Sequence, residues 1–120
     1  MAQKRWTGRA ILIIAIIHTI FGLIGFGPAL IDIASNGLFN GVGADPMRGA
    51  VVWFLFAGFF MFTTGLAVDK LEELGAATTL KKVGIALLVI IVLGVILMPI
   101  SGFWLMFPPA IGLILKKEAG

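Results

Sequence analysis

Residues 9–26 read RAILIIAIIHTIFGLIGF and contain nine Ile or Leu residues, two Phe and the only histidine of the chain, His18. The uncharged run continues through residue 27, so residues 10–27 supply 18 positions without a charge. The hydrocarbon core of a bilayer is about 30 Å thick, and a helix of about 20 apolar residues crosses it. A soluble helix of this length would carry a polar face, whereas this run is apolar on every face. The stretch therefore predicts a transmembrane helix.

A secretory signal peptide is the competing interpretation of this stretch, because Lys4 and Arg5 precede it. However, the apolar run exceeds the roughly 7 to 15 residues that are usual in a signal peptide, and no A-x-A cleavage site follows it closely. We therefore expect the segment to remain in the protein as a membrane span.

The composition extends this prediction to the whole chain, which we expect to form one transmembrane domain over residues 1–120. Apolar residues make up 60% of the sequence, charged residues 12%, and the mean hydropathy is +1.12. The absence of cysteine excludes disulfides, thiolate catalysis and cysteine-ligated metals. The pI near 9.7 does not indicate a nucleic-acid partner, because the basic residues flank apolar runs instead of forming one stripe.

We predict an all-α bundle of four transmembrane helices, over residues 8–27, 46–68, 83–98 and 102–115. Thr7 is expected to cap the first helix, and Asp45 followed by Pro46 is a strong start signal for the second. Residues 28–34, PALIDIA, are expected to form a short interfacial helix within the first connection. Residues 69–82 read as a polar connection in which Glu72 has no partner and is solvated.

The basic residues predict the orientation of the bundle. With the N-terminus inside, eight of the nine Lys and Arg residues lie on the cytoplasmic side, and only Arg48 lies outside. Positive charge accumulates on the cytoplasmic side of membrane proteins. We therefore expect both termini inside, in the cytoplasmic (inner) membrane of a bacterium, with the lipid bilayer as the surrounding partner.

His18 is the candidate functional residue. It shares a helix face with small residues, which favours contact with another helix over contact with lipid. Pro108 and Pro109 lie at similar depth in the fourth helix, where they should free the carbonyls of Trp104 and Leu105. We expect His18 to donate a hydrogen bond to one of these carbonyls, or to a Thr or a water between them. For a ligand-binding role, the candidate residues are His18, Trp104 and Pro108.

Three roles of His18 stay open at this point. It could hold helices together, it could bind a small ligand or transfer protons, or it could ligate a haem iron as a cofactor-binding residue. A single His per chain would allow ligation of haem by two histidines only across a homodimer. We find no catalytic set and no metal-binding set in the sequence, because Asp32 and Asp45 lie in the outer connection far from His18, so we do not expect an enzyme.

Several short motifs resemble a family of small bacterial four-span membrane proteins known chiefly as a domain of unknown function. They are Trp6-Thr7-Gly8-Arg9, His18-Thr19 with Gly22-Leu23, Trp53-Phe54 followed by Gly58 and Gly65, and Pro99 to Trp104 before Pro108-Pro109. The resemblance covers nearly the whole chain. It implies a four-helix membrane fold and places His18 and the Ser-Gly-Phe-Trp turn within the family pattern, but it carries no activity.

Two functions follow as expectations. The first is a non-catalytic accessory or assembly component, present as a homo-oligomer or in a larger membrane complex. The absence of buried charge in the predicted helices favours it. The second is a membrane binder or transporter of a small ligand or haem, which would use His18 at mid-membrane and the broken fourth helix.

Overall fold

The computed structural model describes residues 5–117, and every regular element in this range is helical, which confirms the all-α prediction. The elements are α1 (Thr7–Gly25), α2 (Gly27–Ser35), α3 (Pro46–Glu73), α4 (Ala77–Leu97), a 3-10 helix (Gly102–Met106) and α5 (Phe107–Ile114). Lys4, which contributed to the predicted orientation, lies outside the described residues.

Three of these helices, α1, α3 and α4, are long and apolar enough to cross a membrane. The fourth predicted span is shorter: the 3-10 helix and α5 together cover about 22 Å at their usual rises per residue, less than the roughly 30 Å of a hydrocarbon core. The chain is thus compatible with a membrane bundle that has three long helices and one short, composite one.

The connection predicted at residues 69–82 is much shorter than expected. α3 continues to Glu73 and α4 begins at Ala77, so the two helices are separated by three residues only. The turn forms a Schellman motif: Gly75 has a φ of 70°, its N–H donates to the Glu72 carbonyl, and Ala76 N–H donates to the Leu71 carbonyl. The polar sequence predicts a loop here, but the helix continues, and Asp69 and Glu72 pack against α1.

The first connection agrees with the prediction more closely. α1 ends at Gly25, and after a bend at Phe26 the short helix α2 covers the PALIDIA segment, as expected. Asp45 caps α3 by accepting hydrogen bonds from the backbone N–H groups of Met47 and Arg48, which confirms the start signal. Arg48 pairs with Asp45 at 3.6 Å and also with Asp32.

The prediction that Pro108 and Pro109 break the fourth helix is wrong. Both lie in the first turn of α5, where backbone N–H groups have no partner in the helix, so the prolines fit without loss. The preceding 3-10 turn satisfies the carbonyl of Trp104, which accepts from the N–H of Phe107. Of the two carbonyls expected to be free for His18, that of Trp104 therefore already has a partner.

α1 and α3 pack against each other in antiparallel orientation along most of α1. Buried residues recur every seven positions on both helices, a period that gives a left-handed seam between two helices. The buried positions are Gly8, Ala15 and Gly22 on α1, and Val51, Gly58, Gly65 and Glu72 on α3. A Cβ on Gly8 would lie 2.5 Å from the backbone nitrogen of Asp69, so the two backbones approach closely here.

α5 packs mainly against α4 and also contacts α1. It runs antiparallel to α4, because Gly94 faces Phe103 and Gly84 faces Leu113. The apolar core lies where these helices meet α1 and the last turns of α3. Its buried members are Ile11, Val68, Leu80, Ile91, Met106, Ala110 and Leu113.

Candidate functional site

The most elaborate polar arrangement is not at His18 but at the end of the bundle that holds the start of α1. Glu72 is fully buried there, and its carboxylate accepts a hydrogen bond from the Gly8 N–H at 2.7 Å and a longer one from the Thr7 N–H at 3.4 Å. Lys116 places its ammonium group 2.7 Å from the same carboxylate. We call Thr7, Gly8, Glu72 and Lys116 the Glu72 cluster.

Glu72 performs the capping that the sequence assigned to Thr7. The residue preceding α1, Trp6, makes no side-chain cap, and the Thr7 side chain does not cap the helix either. Instead, a carboxylate from α3 receives the first N–H groups of α1, where the positive end of the helix dipole favours a negative charge. The reading of Glu72 as a solvated residue without a partner is wrong.

Lys116 is the basic half of the cluster and is 6% exposed. It follows the last turn of α5, where the helix dipole favours a positive charge. Its ammonium group also lies 5.9 Å from the centroid of the Trp6 ring. That indole covers Gly112 so closely that a Cβ there would lie 2.3 Å from it. Two charges are therefore buried at this end, contrary to the expectation that the chain has none.

The Thr7 hydroxyl is the one buried side-chain oxygen or nitrogen among residues 5–117 that lacks a hydrogen-bond partner. Thr7 is completely buried, and its side chain packs beside Gly112. A buried water bridging to neighbouring polar atoms is the usual partner of such a group. The Thr7 side chain thus contributes packing to the Glu72 cluster and no hydrogen bond.

Two more ion pairs surround the cluster on its exposed side. Arg5 forms a two-point contact with Asp69, with Nε at 3.1 Å from one carboxylate oxygen and Nη2 at 2.7 Å from the other. This hydrogen bonding to Asp69 raises the pKa of Arg5 above its ordinary value. Lys70 pairs with Glu73 at 3.2 Å one turn further along α3. Within residues 5–117, each of the three acidic residues at this end therefore has a basic partner.

His18 lies ten residues further along α1, about 15 Å from Gly8, and is partly buried against α3. Its Nε2 lies 2.8 Å from the carbonyl oxygen of Phe54, and its ring stacks on the Phe54 ring at 3.9 Å. Gly58 makes this contact possible, because a Cβ there would lie 2.9 Å from His18 Cδ2. We call His18, Phe54 and Gly58 the His18 site.

The structure does not give His18 the predicted hydrogen-bond partner. The expected bond to the carbonyl of Trp104 or Leu105 is wrong for Nε2, which is paired with α3. Trp104 instead donates its indole N–H to the Pro99 carbonyl at 2.8 Å and closes the turn before the 3-10 helix. Pro108 begins α5. The three candidate residues thus serve three different local contacts.

The geometry of His18 also bears on which of its ring nitrogens could ligate a haem iron. A carbonyl can only accept a hydrogen bond, so Nε2 carries the proton and Nδ1 holds the lone pair that could ligate a metal. Nδ1 is the ring nitrogen nearer the α1 backbone, and the opposite edge of the ring faces Gly58. An iron porphyrin could bind Nε2 only after the hydrogen bond to the Phe54 carbonyl is broken.

A regular signal in the sequence could have located the buried carboxylate. Gly58 and Gly65 face Thr19 and Leu12 of α1, and the next position in this seven-residue series is Glu72. The same series would have placed Glu72 beside the start of α1. The local sequence does not predict that Lys116 pairs with Glu72, because that contact depends on where α5 ends.

One family model matches residues 2–120, that of a family of unknown function, DUF6463, and the chain belongs to this family. The match agrees with the expected membership of a family without a known role. No curated protein and no solved structure matches the chain.

Proposed function

We propose that this member of the DUF6463 family is a non-catalytic protein of the bacterial inner membrane, which crosses the bilayer four times and packs as an accessory or assembly subunit or as a homo-oligomer. Its termini lie in the cytoplasm. What is established is narrower: the family has no known function, and three helices are able to span a membrane.

The non-catalytic role is supported by one observation: the polar side chains between the two ends of the bundle form hydrogen bonds with backbone carbonyls of the protein. His18 is paired with the Phe54 carbonyl, and Thr19 donates to the Ala15 carbonyl at 2.8 Å. Thr63 and Thr64 donate to carbonyls of their own helix. These groups are satisfied by the protein itself, as membrane-embedded polar groups must be, so they do not converge on a shared substrate position.

The Glu72 cluster supports the four-span topology. It joins the start of α1, the end of α3 and the residues after α5 at one end of the bundle. A chain whose two ends meet on one side of a membrane crosses it an even number of times. With three long helices, the composite of the 3-10 helix and α5 supplies the fourth crossing. All described basic residues except Arg48 also lie at this end, which supports its cytoplasmic placement.

The outer surface supports a packing role. Many large apolar side chains of α1, α3 and α4 are exposed, among them Ile24 at 78%, Leu97 at 76% and Trp53 at 66%. Lipid or another protein covers such a surface in a membrane protein. A shallow apolar groove also runs between α1 and α3, lined by Ala15, Ile16, Thr19, Ile20, Phe59 and Phe62.

Purification in mild detergent followed by native mass spectrometry tests this proposal, with an absorption spectrum recorded on the same sample. We expect masses at multiples of 12.8 kDa, or a defined complex with other subunits, and a spectrum of tryptophan only. A monomer that carries one equivalent of a small molecule, lost in H18A, would contradict the proposal and restore the function of a ligand or haem binder.

A further inference from the structure

We infer that Lys81 and Lys82, at the start of α4, bind the phosphate of anionic phospholipids in the leaflet that surrounds the Glu72 end of the bundle. The inference rests on the proposed membrane function and names the class of lipid that this end of the protein selects. It begins with the pairing of charges at the two ends.

Within residues 5–117, each acidic residue at the Glu72 end has a specific basic partner. Asp69 is held by Arg5 at 2.7 Å, Glu72 by Lys116 at 2.7 Å and Glu73 by Lys70 at 3.2 Å. Arg9 lies 3.9 Å from Asp69, which Arg5 already holds in a two-point contact. Within residues 5–117, no carboxylate at this end is left to neutralise a further cation.

Lys81 and Lys82 have no ion-pair partner within residues 5–117, and both side chains are exposed. They occupy the second turn of α4, immediately before the uncharged run that begins at Val83. In a bilayer this position lies at the headgroups, where long lysine side chains reach the interface. Two adjacent, unpaired ammonium groups thus lie at the depth of lipid phosphates.

The opposite end of the bundle offers no comparable cation. Its described charges are Asp32, Asp45 and Arg48, and Arg48 contacts both carboxylates and the Gly41 carbonyl. The described residues at the two ends therefore differ in the sign of their net charge, and also in how fully their charged side chains are paired. Each basic residue near an anionic leaflet contributes about 1 kcal/mol of attraction, so the attraction should concentrate on one leaflet and on the two unpaired lysines.

Competition between two lipids in native mass spectrometry tests this inference. The purified protein is mixed with equal amounts of phosphatidylglycerol and phosphatidylcholine of the same acyl chains, and the first bound lipid is identified. We expect wild type to retain phosphatidylglycerol about 30-fold more often than phosphatidylcholine, and K81Q/K82Q to retain the two lipids about equally.

Two control variants separate charge from position. K81R/K82R keeps both charges and should keep the preference. K70Q/E73Q removes a lysine that already has a carboxylate partner together with that partner, and should also keep it. Equal retention of both lipids by wild type, or an unchanged preference in K81Q/K82Q, would overturn the inference. Failure of the protein to fold in detergent and to retain any lipid would instead contradict the proposed membrane function.

Discussion

The Glu72 cluster and the His18 site join the same two helices, α1 and α3, but they do so by different physical means. At the Glu72 cluster a buried carboxylate binds two backbone N–H groups and an ammonium group. At the His18 site an imidazole ring binds one carbonyl and stacks on one phenyl ring. The first contact joins three separate segments of the chain, and the second joins two.

This difference shows where the fold is most sensitive to substitution. Removing one member of a buried ion pair leaves the other charge without compensation. Removing a hydrogen bond within a membrane bundle costs much less, because the remaining groups find other partners. We therefore expect substitution of His18, the residue that the sequence singles out, to lower the free energy of unfolding less than substitution of Glu72.

The largest effect is expected from E72Q. The amide still accepts from the Gly8 N–H, but Lys116 loses the carboxylate, so the free energy of unfolding should fall by about 3 to 5 kcal/mol. Titration with SDS in mixed micelles measures this change. E73Q is the matched control, because the Lys70–Glu73 pair is exposed and should contribute about 0 to 1 kcal/mol.

A companion variant, E72Q/K116M, keeps an amide oxygen that accepts from the Gly8 N–H and removes the unpaired ammonium group, so it should recover much of the loss. E72Q with a free energy of unfolding within about 1 kcal/mol of wild type would mean that the ion pair is not the basis of the cluster.

G8A should have the next largest effect, and it tests the close contact of helices beside the cluster. The added methyl group would meet the backbone of Asp69, so α1 and α3 must separate at a cost of about 1 to 3 kcal/mol. G25A is the control on the same helix, because its Cβ would lie 4.0 Å from the Phe21 ring. G25A should be neutral or stabilise by up to about 1 kcal/mol through its higher helix propensity. Equal melting temperatures of both variants would refute the close approach.

H18A is expected to lower the free energy of unfolding less than E72Q or G8A. It loses the hydrogen bond to Phe54, worth about 0.6 to 1.7 kcal/mol inside a membrane, together with the stacking on the Phe54 ring. H18Q should recover part of this loss, because glutamine can donate an amide N–H over a similar reach. An H18A variant that is as stable as wild type but loses a bound ligand would assign His18 to binding instead of packing.

P108A should have the smallest effect, because the proline stands in the first turn of α5 where its missing N–H is not needed. The free energy of unfolding should change by less than about 1 kcal/mol. An increase of about 3 kcal/mol would instead show that Pro108 interrupts a helix.

The helices themselves could be predicted from the sequence because apolar runs, Asp45-Pro46 and the turn residues act locally. The lengths of α3 and α4 could not, because residues 69–73 are polar and look like loop until α1 packs against them. Likewise, the place of Pro108 depends on the 3-10 helix before it, which shifts the start of α5 to Phe107. Local patterns do not reveal such tertiary effects.

The candidate site was only partly predictable. That His18 faces protein followed from its small neighbours and is confirmed by its contact with Phe54. Its partner was assigned to the wrong helix, because matched depth in a bundle does not determine which neighbours touch. Glu72 was missed since charge in a short connection is usually solvated, although the seven-residue repeat of Gly58 and Gly65 pointed to it.

The labelling of single cysteines tests the central claim, that the Glu72 end of a four-span bundle lies in the cytoplasm. The chain has no cysteine of its own, so N40C, L74C and K117C can each be labelled without background. With a membrane-impermeant maleimide on intact spheroplasts, we predict that N40C reacts, whereas L74C and K117C react only after the membrane is permeabilised. Reaction of L74C and K117C from opposite sides, or reaction of both from outside, would contradict the account.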